Sequence, residues 1–234
     1  MPSGDRVMPI DPLSDAKIVD SWHKNAAPWT PAVRDSRIES RTLVTNRAIL
    51  DAVLSRSPKS VLDIGCGEGW LVRALAERGI NGTGVDVVPA LIDAATSAGG
   101  GDFRVASYEQ LASRELQLSA DVVVANFSLI GKESVDALFR SAIWMLGLGG
   151  AMIVQTLHPL IACGEQPYTD GWRVGSWDGF GHGFSDPPPW YFRTLESWIQ
   201  LFVQGGLAVL EVREPLHPIS LKPASIIFVA DTSG

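Results

Sequence analysis

Short apolar runs alternate with amphipathic segments through most of the chain. Runs rich in Val, Ile and Leu predict buried strands, and the segments between them repeat apolar residues at helical spacing. The predicted strands are Ser60–Ile64, Thr83–Val88, Phe103–Ala106, Asp121–Asn126, Gly150–Leu157, Leu207–Arg213 and Ser225–Ala230. Because continuous apolar strands alternate with helices, the pattern predicts a parallel sheet covered by helices on both faces.

The helical pattern begins near the N-terminus and fills the gaps between strands. Ser14 and Asp15 are candidate caps for a helix through Lys17–Lys24, which Pro28 and Pro31 are expected to end. The other predicted helices are Arg37–Leu54, Trp70–Arg78, Pro89–Ser97, Tyr108–Glu115, Glu133–Met145 and Thr194–Gln204. Before the first helix, about a dozen residues rich in proline predict a loose arm.

The alternation stops between His158 and Trp190, in a segment rich in proline, glycine and aromatic residues. Long irregular segments in compact domains are usually functional or disordered, and the aromatic content argues against disorder. We predict a lid or pocket wall, with a small satellite core under a long loop as the alternative. The predicted single domain (residues 1–234) then divides into an N-terminal arm with cap helices (1–57), a core (58–158), the lid insertion (159–191) and the C-terminal core (192–234).

Composition narrows the possible partners. Hydrophobic residues make up 46% of the chain and charged residues 19%, which excludes a wholly disordered protein. Lys and Arg number 19 against 26 Asp and Glu, giving a net charge of −7 without any basic run, so we expect no nucleic-acid partner. No apolar run approaches the ~20 residues of a membrane helix, and Met1–Asp11 lacks the apolar centre of a signal peptide. We therefore expect a cytoplasmic protein without a membrane partner.

Cysteine and histidine spacing gives no sign of a metal centre. Cys66 and Cys163 lie far apart without a C-x-x-C pair, and the four histidines are scattered. Neither a disulfide framework nor a metal site is predicted from this pattern.

A glycine-rich loop follows the first predicted strand in the segment VLDIGCGEGW, residues 61–70. Glycines let a ligand approach the backbone closely, but the spacing G-x-G-x-G differs from the G-x-G-x-x-G of dinucleotide binders. Asp63 would repel an anion, so the loop favours a ligand with a cationic group over a pyrophosphate. Asp86, 21 residues after Gly65, ends the next strand, where a carboxylate can accept hydrogen bonds from both hydroxyls of a ribose. Taken alone, the loop leaves a tight structural turn as the alternative.

Together these segments resemble the class I S-adenosylmethionine-dependent methyltransferases. The matching stretches are VLDIGCGEG, GTGVDVVPALIDAA, VASYEQL, ADVVVANFSL, LGLGGAMIVQTLHP and FRTLESWIQLFVQGGLAVLEVREP. The resemblance covers about Arg41 to Ala230, apart from the insertion. It implies an α/β fold, a Rossmann-like three-layer sandwich whose seven-stranded, mostly parallel sheet has an antiparallel last strand, preceded by N-terminal helices. It also implies S-adenosylmethionine as the cofactor and says little about the methyl acceptor.

The resemblance places the cofactor against the core segment. The glycine loop would line the methionine end, Asp86 would hold the ribose, and side chains after the next strands would flank the adenine. Arg37 and Arg41 are candidate partners of the methionine carboxylate, and we favour Arg41. The expected cofactor-binding residues are Arg41, Asp63, Gly65, Cys66, Gly67, Gly69, Asp86, Val87, Ser107, Tyr108, Asn126 and Phe127.

Candidate acceptor residues come from the two ends of the chain. Trp22 and Trp29 are expected to cap the acceptor pocket, although core tryptophans would give the same pattern. Tyr191 and Arg193 are expected to contact the acceptor, and Arg193 or Arg173 would suit an acceptor carboxylate. The insertion aromatics would wall an apolar acceptor and shelter the sulfonium cation.

His158 follows the fifth predicted strand directly, at the edge of the sheet that carries the site. It is a candidate catalytic base that would take a proton from an acceptor hydroxyl or amine. A loop histidine with a structural hydrogen bond is the alternative. In the fourth motif, Asn126-Phe127-Ser128-Leu129 lacks the two prolines that the family's nucleobase and amide methyltransferases usually carry, which disfavours DNA and planar amides as acceptors.

The sequence therefore predicts an enzyme that transfers a methyl group from S-adenosylmethionine to a small aromatic or apolar molecule, at oxygen or nitrogen. We expect a monomer or homodimer. Two alternatives remain, a non-enzymatic S-adenosylmethionine-binding protein and a nicotinamide-dependent oxidoreductase. The glycine spacing and Asp63 argue against the second of these.

Overall fold

A seven-stranded sheet forms the centre of the molecule in the computed structural model, which describes residues 10–232. The strands are β1 Ser60–Ile64, β2 Asn81–Asp86, β3 Asp102–Val105, β4 Ala120–Asn126, β5 Leu146–Thr156, β6 Gly171–Arg173, β7 Trp190–Phe192, β8 Ala208–Arg213 and β9 Ile226–Asp231. The sheet order is β3-β2-β1-β4-β5-β9-β8, and β6 pairs with β7 in a separate antiparallel hairpin. Strands β1 to β5 run parallel, and β9 is antiparallel to both β5 and β8. The predicted sheet is therefore confirmed.

Helices cover both faces of this sheet. They are α1 Asp15–Arg34, α2 Asn46–Leu54, α3 Trp70–Ala76, α4 Pro89–Ala98, α5 Tyr108–Ala112, α6 Glu133–Arg140, α7 Pro159–Ala162 and α8 Leu195–Gln204. A π-helical turn, Arg41–Thr45, leads into α2, and a 3₁₀ turn, Ala142–Met145, leads into β5. The two longest core helices predicted from the sequence are thus each divided into two pieces.

Alternation along the strands builds a core on each face. In β4, Val123 and Ala125 pack with the helices α5, α6 and α8, whereas Val122 and Val124 pack with α2 and α3. Side chains of a strand point alternately to opposite faces, so a strand buried on both sides has few polar positions. This explains why the central strands are continuous apolar runs in the sequence.

Helix α1 continues through both prolines, so the prediction that Pro28 and Pro31 end it is wrong. The predicted cap is confirmed, because the Ser14 side chain accepts a hydrogen bond from the backbone N–H of Lys17 at 3.2 Å. A proline inside a helix removes one hydrogen bond and costs about 3 kcal/mol. Here tertiary packing outweighs that cost, since Ala26 and Ala32 of the same helix are buried.

Most of the predicted N-terminal arm, residues 1–9, lies outside the described residues. Within residues 10–232, none of the helices combines the length and apolarity that crossing a membrane requires.

Candidate functional site

A cavity of about 630 Å³ opens at the carboxyl edge of the sheet. Its floor consists of the residues at the carboxyl ends of β1, β2, β3, β4 and β5 together with the π-helical turn, and its roof comes from α1 and the insertion. Parallel strands end at the same edge, which is where open α/β sheets bind ligands. The sequence-predicted site residues that line it are Trp22, Trp29, Arg41, Asp63, Gly65, Cys66, Gly67, Asp86, Val87, Ser107, Tyr108, Asn126, Phe127, Tyr191 and Arg193.

The loop after β1 approaches its neighbours too closely for a side chain. Gly65 has φ +73°, and a Cβ there would lie 2.3 Å from Cβ of Ser128. The backbone N–H groups of Gly65 and Cys66 both donate to the Val85 carbonyl, at 2.8 and 3.0 Å. Gly69 does not line the cavity. It precedes α3 at φ +82°, and its role is packing, since a Cβ there would lie 2.7 Å from the Phe103 ring.

Asp86 closes the glycine loop against the end of β2. Its Oδ2 accepts the backbone N–H of Gly67 and its Oδ1 that of Val88, both at 2.9 Å. Burial raises the pKa of this carboxyl group, and the two N–H donors oppose the rise. Each carboxylate oxygen can accept more than one hydrogen bond, so Asp86 still has acceptor capacity for a ligand.

Asp63 is a buried acid, 2% exposed, on the cavity floor. Its Oδ1 has no hydrogen-bond partner among the described residues. Burial, reinforced by the charge of Asp86 and opposed by Arg41, raises the pKa of Asp63 to about 7. Buried polar atoms are usually hydrogen-bonded, so this oxygen is a candidate ligand contact.

Arg41 supplies the opposite charge from the π-helical turn. Its guanidinium carbon lies 5.6 Å from the centre of the Trp29 ring and 5.0 Å from that of Trp70. Burial lowers the pKa of Arg41 to about 10, against the charges of Glu68 and Asp63. Its buried Nη2 has no hydrogen-bond partner within residues 10–232. Single-turn π-helical insertions often occur at functional sites, and this one aims a cation at the cavity.

The turn after β4 is strained. Phe127 has φ +56°, an uncommon conformation for a bulky residue. Its N–H donates to the Gln155 carbonyl at 2.8 Å, and the Gln155 side chain donates to Oδ1 of Asn126 at 3.0 Å and to the Thr45 carbonyl at 3.1 Å. Gln155, which the sequence analysis missed, therefore holds this part of the floor in place.

The Ser107–Tyr108 corner forms the side of the cavity after β3. Ser107 caps α5 in a reciprocal arrangement with Gln110, so its hydroxyl is already used by the helix. The Tyr108 hydroxyl donates to the Ser128 carbonyl at 3.0 Å, and burial raises its pKa. Both residues therefore form a fixed wall.

Aromatic rings from α1 and the insertion pack against each other in the roof. The Trp22 ring meets the rings of Trp29 and Trp177 edge-on at 4.9 and 5.5 Å between centres. Trp177 also contacts Phe180 at 5.4 Å. All four line the cavity, so the roof is a continuous aromatic surface.

Hydrogen bonds and ion pairs also join α1 to the insertion, and we call this set of contacts the Asn25 latch. The side chain of Asn25, fully buried, donates to the Ser185 carbonyl at 2.7 Å and accepts the Ser185 N–H at 2.9 Å. The Ser21 hydroxyl donates to the Asp186 carbonyl at 2.5 Å, and Lys17 and Lys24 both pair with the Asp186 carboxylate. The sequence gives no sign of these pairings, because the partners are far apart along the chain.

His158 is not brought to the cavity. Its neighbours Thr156 and Leu157 line the cavity, whereas the imidazole is buried with Nε2 2.6 Å from Oε1 of Glu214. The turn at the end of β5 thus directs this side chain toward the segment between β8 and β9. This geometry matches the structural alternative for His158 and not the predicted base.

The comparisons with known proteins agree with this architecture. A family model described as a methyltransferase domain matches residues 39–212, which is well over half of the chain. The chain belongs to the class I S-adenosylmethionine-dependent methyltransferases. This methyltransferase is 32% identical over 150 residues to the ubiquinone biosynthesis O-methyltransferase of Xanthomonas axonopodis pv. citri (strain 306), covering 61% of this chain and 59% of the relative.

The methyltransferase spans about half the length of the curated relatives it matches. For the ubiquinone biosynthesis O-methyltransferase of Xanthomonas oryzae pv. oryzae (strain PXO99A), the identity is 32% over 114 residues, 47% of each chain. Similarity to solved structures extends further. A Mesorhizobium loti S-adenosylmethionine-dependent methyltransferase has 22% identity and a TM-score of 0.58, covering 77% of this chain and 95% of that one. The glycopeptide N-methyltransferase MtfA in complex with S-adenosylmethionine has 13% identity and a TM-score of 0.56, covering 75% and 82%. At these identities, the structures establish the fold alone.

The residues of the floor fit S-adenosylmethionine, the cofactor of this family. The unpaired guanidinium nitrogen of Arg41 and the unpaired oxygen of Asp63 match the carboxylate and amino groups at the methionine end. Asp86 also has acceptor capacity left after its two backbone hydrogen bonds. The methyltransferase therefore carries the groups that the cofactor needs.

Proposed function

We propose that this methyltransferase transfers the methyl group of S-adenosylmethionine to a small aromatic or otherwise apolar molecule, at oxygen or nitrogen. The observation that carries the proposal is the aromatic roof of Trp22, Trp29, Trp177 and Phe180 over the cavity. Flat apolar ligands bind well in such concave aromatic sites. The names of the curated relatives, O-methyltransferases of ubiquinone biosynthesis, support an oxygen acceptor.

Each floor residue has a proposed task. Arg41 holds the methionine carboxylate, Asp63 the amino group and Asp86 the ribose hydroxyls. Val87, Ser107 and Tyr108 flank the adenine. Asn126 and Phe127 lie at the turn after the central strand β4. They separate the floor from the part of the cavity proposed to hold the methyl acceptor, which we call the acceptor half.

When bound, S-adenosylmethionine supplies an electrophilic methyl group on a positively charged sulfur. The contribution of the chain is to position the reactants, which can supply much of the rate acceleration. The aromatic roof excludes water and aligns the acceptor, and the Asn25 latch holds the roof closed. No histidine lines the cavity among residues 10–232, so we propose that transfer proceeds without His158 as a base.

Thermal unfolding with S-adenosylhomocysteine, and in parallel with NAD, tests the proposed cofactor site. Ligand at about a hundred times its Kd adds about 2.7 kcal/mol, which raises the midpoint by about 5–10 °C for a chain of this size. Asp86→Ala should weaken S-adenosylhomocysteine binding by about 1–3 kcal/mol, the scale of a lost charged hydrogen bond. Asp102→Ala, an exposed carboxylate on β3, is the matched control. A shift with NAD alone would refute the proposal.

A candidate acceptor then completes the test. The proposal requires that neutral phenols or aromatic amines, screened with S-adenosylmethionine, yield a methylated product and S-adenosylhomocysteine in equal amounts. His158→Ala should retain turnover when the protein is folded. Loss of turnover with unchanged cofactor affinity would return His158 to the mechanism.

A further inference from the structure

Two features of the acceptor half would ordinarily bind an anion. One is the guanidinium group of Arg193, and the other is the N-terminus of α6 beside Gly131 and Ser134. Guanidinium groups and free backbone N–H groups at a helix start both attract carboxylates and phosphates. If the guanidinium group and the helix start are both already paired within the protein, neither is available to bind an anionic group of the acceptor.

The guanidinium of Arg193 is already paired within the protein. Its Nη1 donates to the Gly131 carbonyl at 2.8 Å, and its Nη2 donates to Oδ1 of Asp136 at 2.9 Å. The rings of Tyr191 and Trp198 lie 4.9 and 5.4 Å from its central carbon, and the residue is only 4% exposed. Arg193 is thus held within the wall, and its charge is already offset by Asp136.

The start of α6 is occupied in the same way. Asp15, in the first turn of α1, accepts the backbone N–H of Lys132 at 2.7 Å and that of Ser134 at 2.6 Å, one on each carboxylate oxygen. The chain's own carboxylate therefore fills the position where a ligand anion would bind.

The remaining charges of the cavity do not favour an anion either. Among the described lining residues, the cations are Arg41 and Arg193, against the carboxylates of Asp15, Asp63, Asp86 and Glu109. Arg41, Asp63 and Asp86 are all assigned to the cofactor in the proposed function, which leaves Arg193 against Asp15 and Glu109. A buried carboxylate that finds no partner keeps its desolvation cost.

We infer that the acceptor carries no anionic group: it is a neutral aromatic alcohol or amine, and not a hydroxycarboxylate or a phosphorylated compound. This inference rests on the proposed function and replaces the expectation that Arg193 or Arg173 holds an acceptor carboxylate. Arg173 is also engaged, donating to Oε1 of Gln166 at 2.5 Å and to the Pro167 carbonyl at 2.9 Å.

A matched pair of probes tests the inference. The probes are 2-naphthol and 6-hydroxy-2-naphthoate, which differ by one carboxylate, titrated into protein saturated with S-adenosylhomocysteine at pH 7. The neutral probe should bind about tenfold more tightly or better, because the added carboxylate is desolvated without a partner. Equal or tighter binding of the carboxylate probe would overturn the inference.

Two variants test its cause. Asp136→Asn releases the charge on Arg193, and Asp15→Asn exposes one N–H of α6, so each should reduce the preference for the neutral probe at least about threefold. Asp51→Asn, a surface carboxylate paired with Arg47 at 3.2 Å, is the control and should leave the ratio unchanged. An unchanged ratio of the affinities for the two probes in both Asp136→Asn and Asp15→Asn would refute the idea that pairing within the protein disfavours an anionic acceptor. Failure of the wild-type protein to bind S-adenosylhomocysteine would instead refute the proposed function.

Discussion

The carboxyl group of Asp63 titrates near neutral pH. Burial and the neighbouring charge of Asp86 raise its pKa from 3.8 to about 7. Because the pKa is higher in the folded chain, the contribution of Asp63 to stability is fully present below pH 3.8 and is lost as the pH rises through 7. In the ligand-free protein, the ionised form of Asp63 is therefore less favourable in the folded chain than in the unfolded chain.

A cationic ligand group beside Asp63 should reverse that cost. Binding of S-adenosylhomocysteine favours the ionised form, so its affinity should increase from pH 6 to pH 8, with a slope below pH 7 of at most about tenfold per pH unit. Calorimetry at pH 6.5 in two buffers of different ionisation enthalpy should detect proton release. Asp63→Asn should abolish both effects, and Asp102→Asn should not. A flat affinity profile would remove Asp63 from the proposed cofactor contacts.

At the residue scale, the sequence predicted which residues line the cavity better than it predicted how their backbones and side chains are oriented. Asp63, Asp86 and Arg41 are found at the cavity because each stands next to a strand or helix whose position the hydrophobic pattern determines. His158 lies outside the cavity lining because the direction of a side chain after a strand depends on the local turn, which composition does not reveal. The left-handed backbone of Phe127 is likewise a product of tertiary hydrogen bonds.

Helix α1 and the insertion behave as one element because of Asn25. Asn25→Ala would remove both of its hydrogen bonds to the Ser185 backbone, whose carbonyl keeps the bond from Nε1 of Trp177, and each lost hydrogen bond contributes about 0.5–1.5 kcal/mol. We expect faster hydrogen exchange in residues 174–189, with affinity for S-adenosylhomocysteine changed by less than about threefold. Asn81→Ala, an exposed asparagine at the start of β2, is the control. Unchanged exchange in the insertion would show that the aromatic contacts and the Asp186 pairings hold it without Asn25.

Element boundaries were predictable where burial dominates. The apolar runs located β1 without error and β4 to within one residue. Periodicity could not reveal the hairpin of β6 and β7, since three-residue strands carry too little pattern. Proline propensity likewise mispredicts the end of α1, because tertiary packing keeps the helix intact beyond Pro28 and Pro31.

Stability should vary across the whole molecule. The central strands are buried on both faces, whereas the apolar cluster under α1 consists of Ala26, Val88 and Leu91 with a few partly buried neighbours. Segments with few apolar contacts open at lower free energy than the global transition. We expect the amides of α1 to exchange faster than those of β4, and S-adenosylhomocysteine to slow α1 selectively. Equal protection of the two elements would contradict this view.

Fold and cofactor were predictable for the whole molecule because strand pattern, glycine loop and ribose acid all agree with each other. The charge of the acceptor half could not be predicted in this way, because it depends on which carboxylate pairs with which arginine in the folded chain. Asp15 and Arg193 are 178 residues apart in the sequence and yet line the same cavity.

The Asn25–Ser185 pairing also has a consequence for biosynthesis, since its two partners are separated by 160 residues. A ribosome adding roughly 5–20 residues per second releases Ser185 roughly 8–30 s after Asn25. During that interval the strands of the cofactor floor emerge, whereas the contacts of Trp22 and Trp29 with Trp177 and Phe180 cannot yet form. The floor of the cavity is therefore synthesised before its roof can be completed.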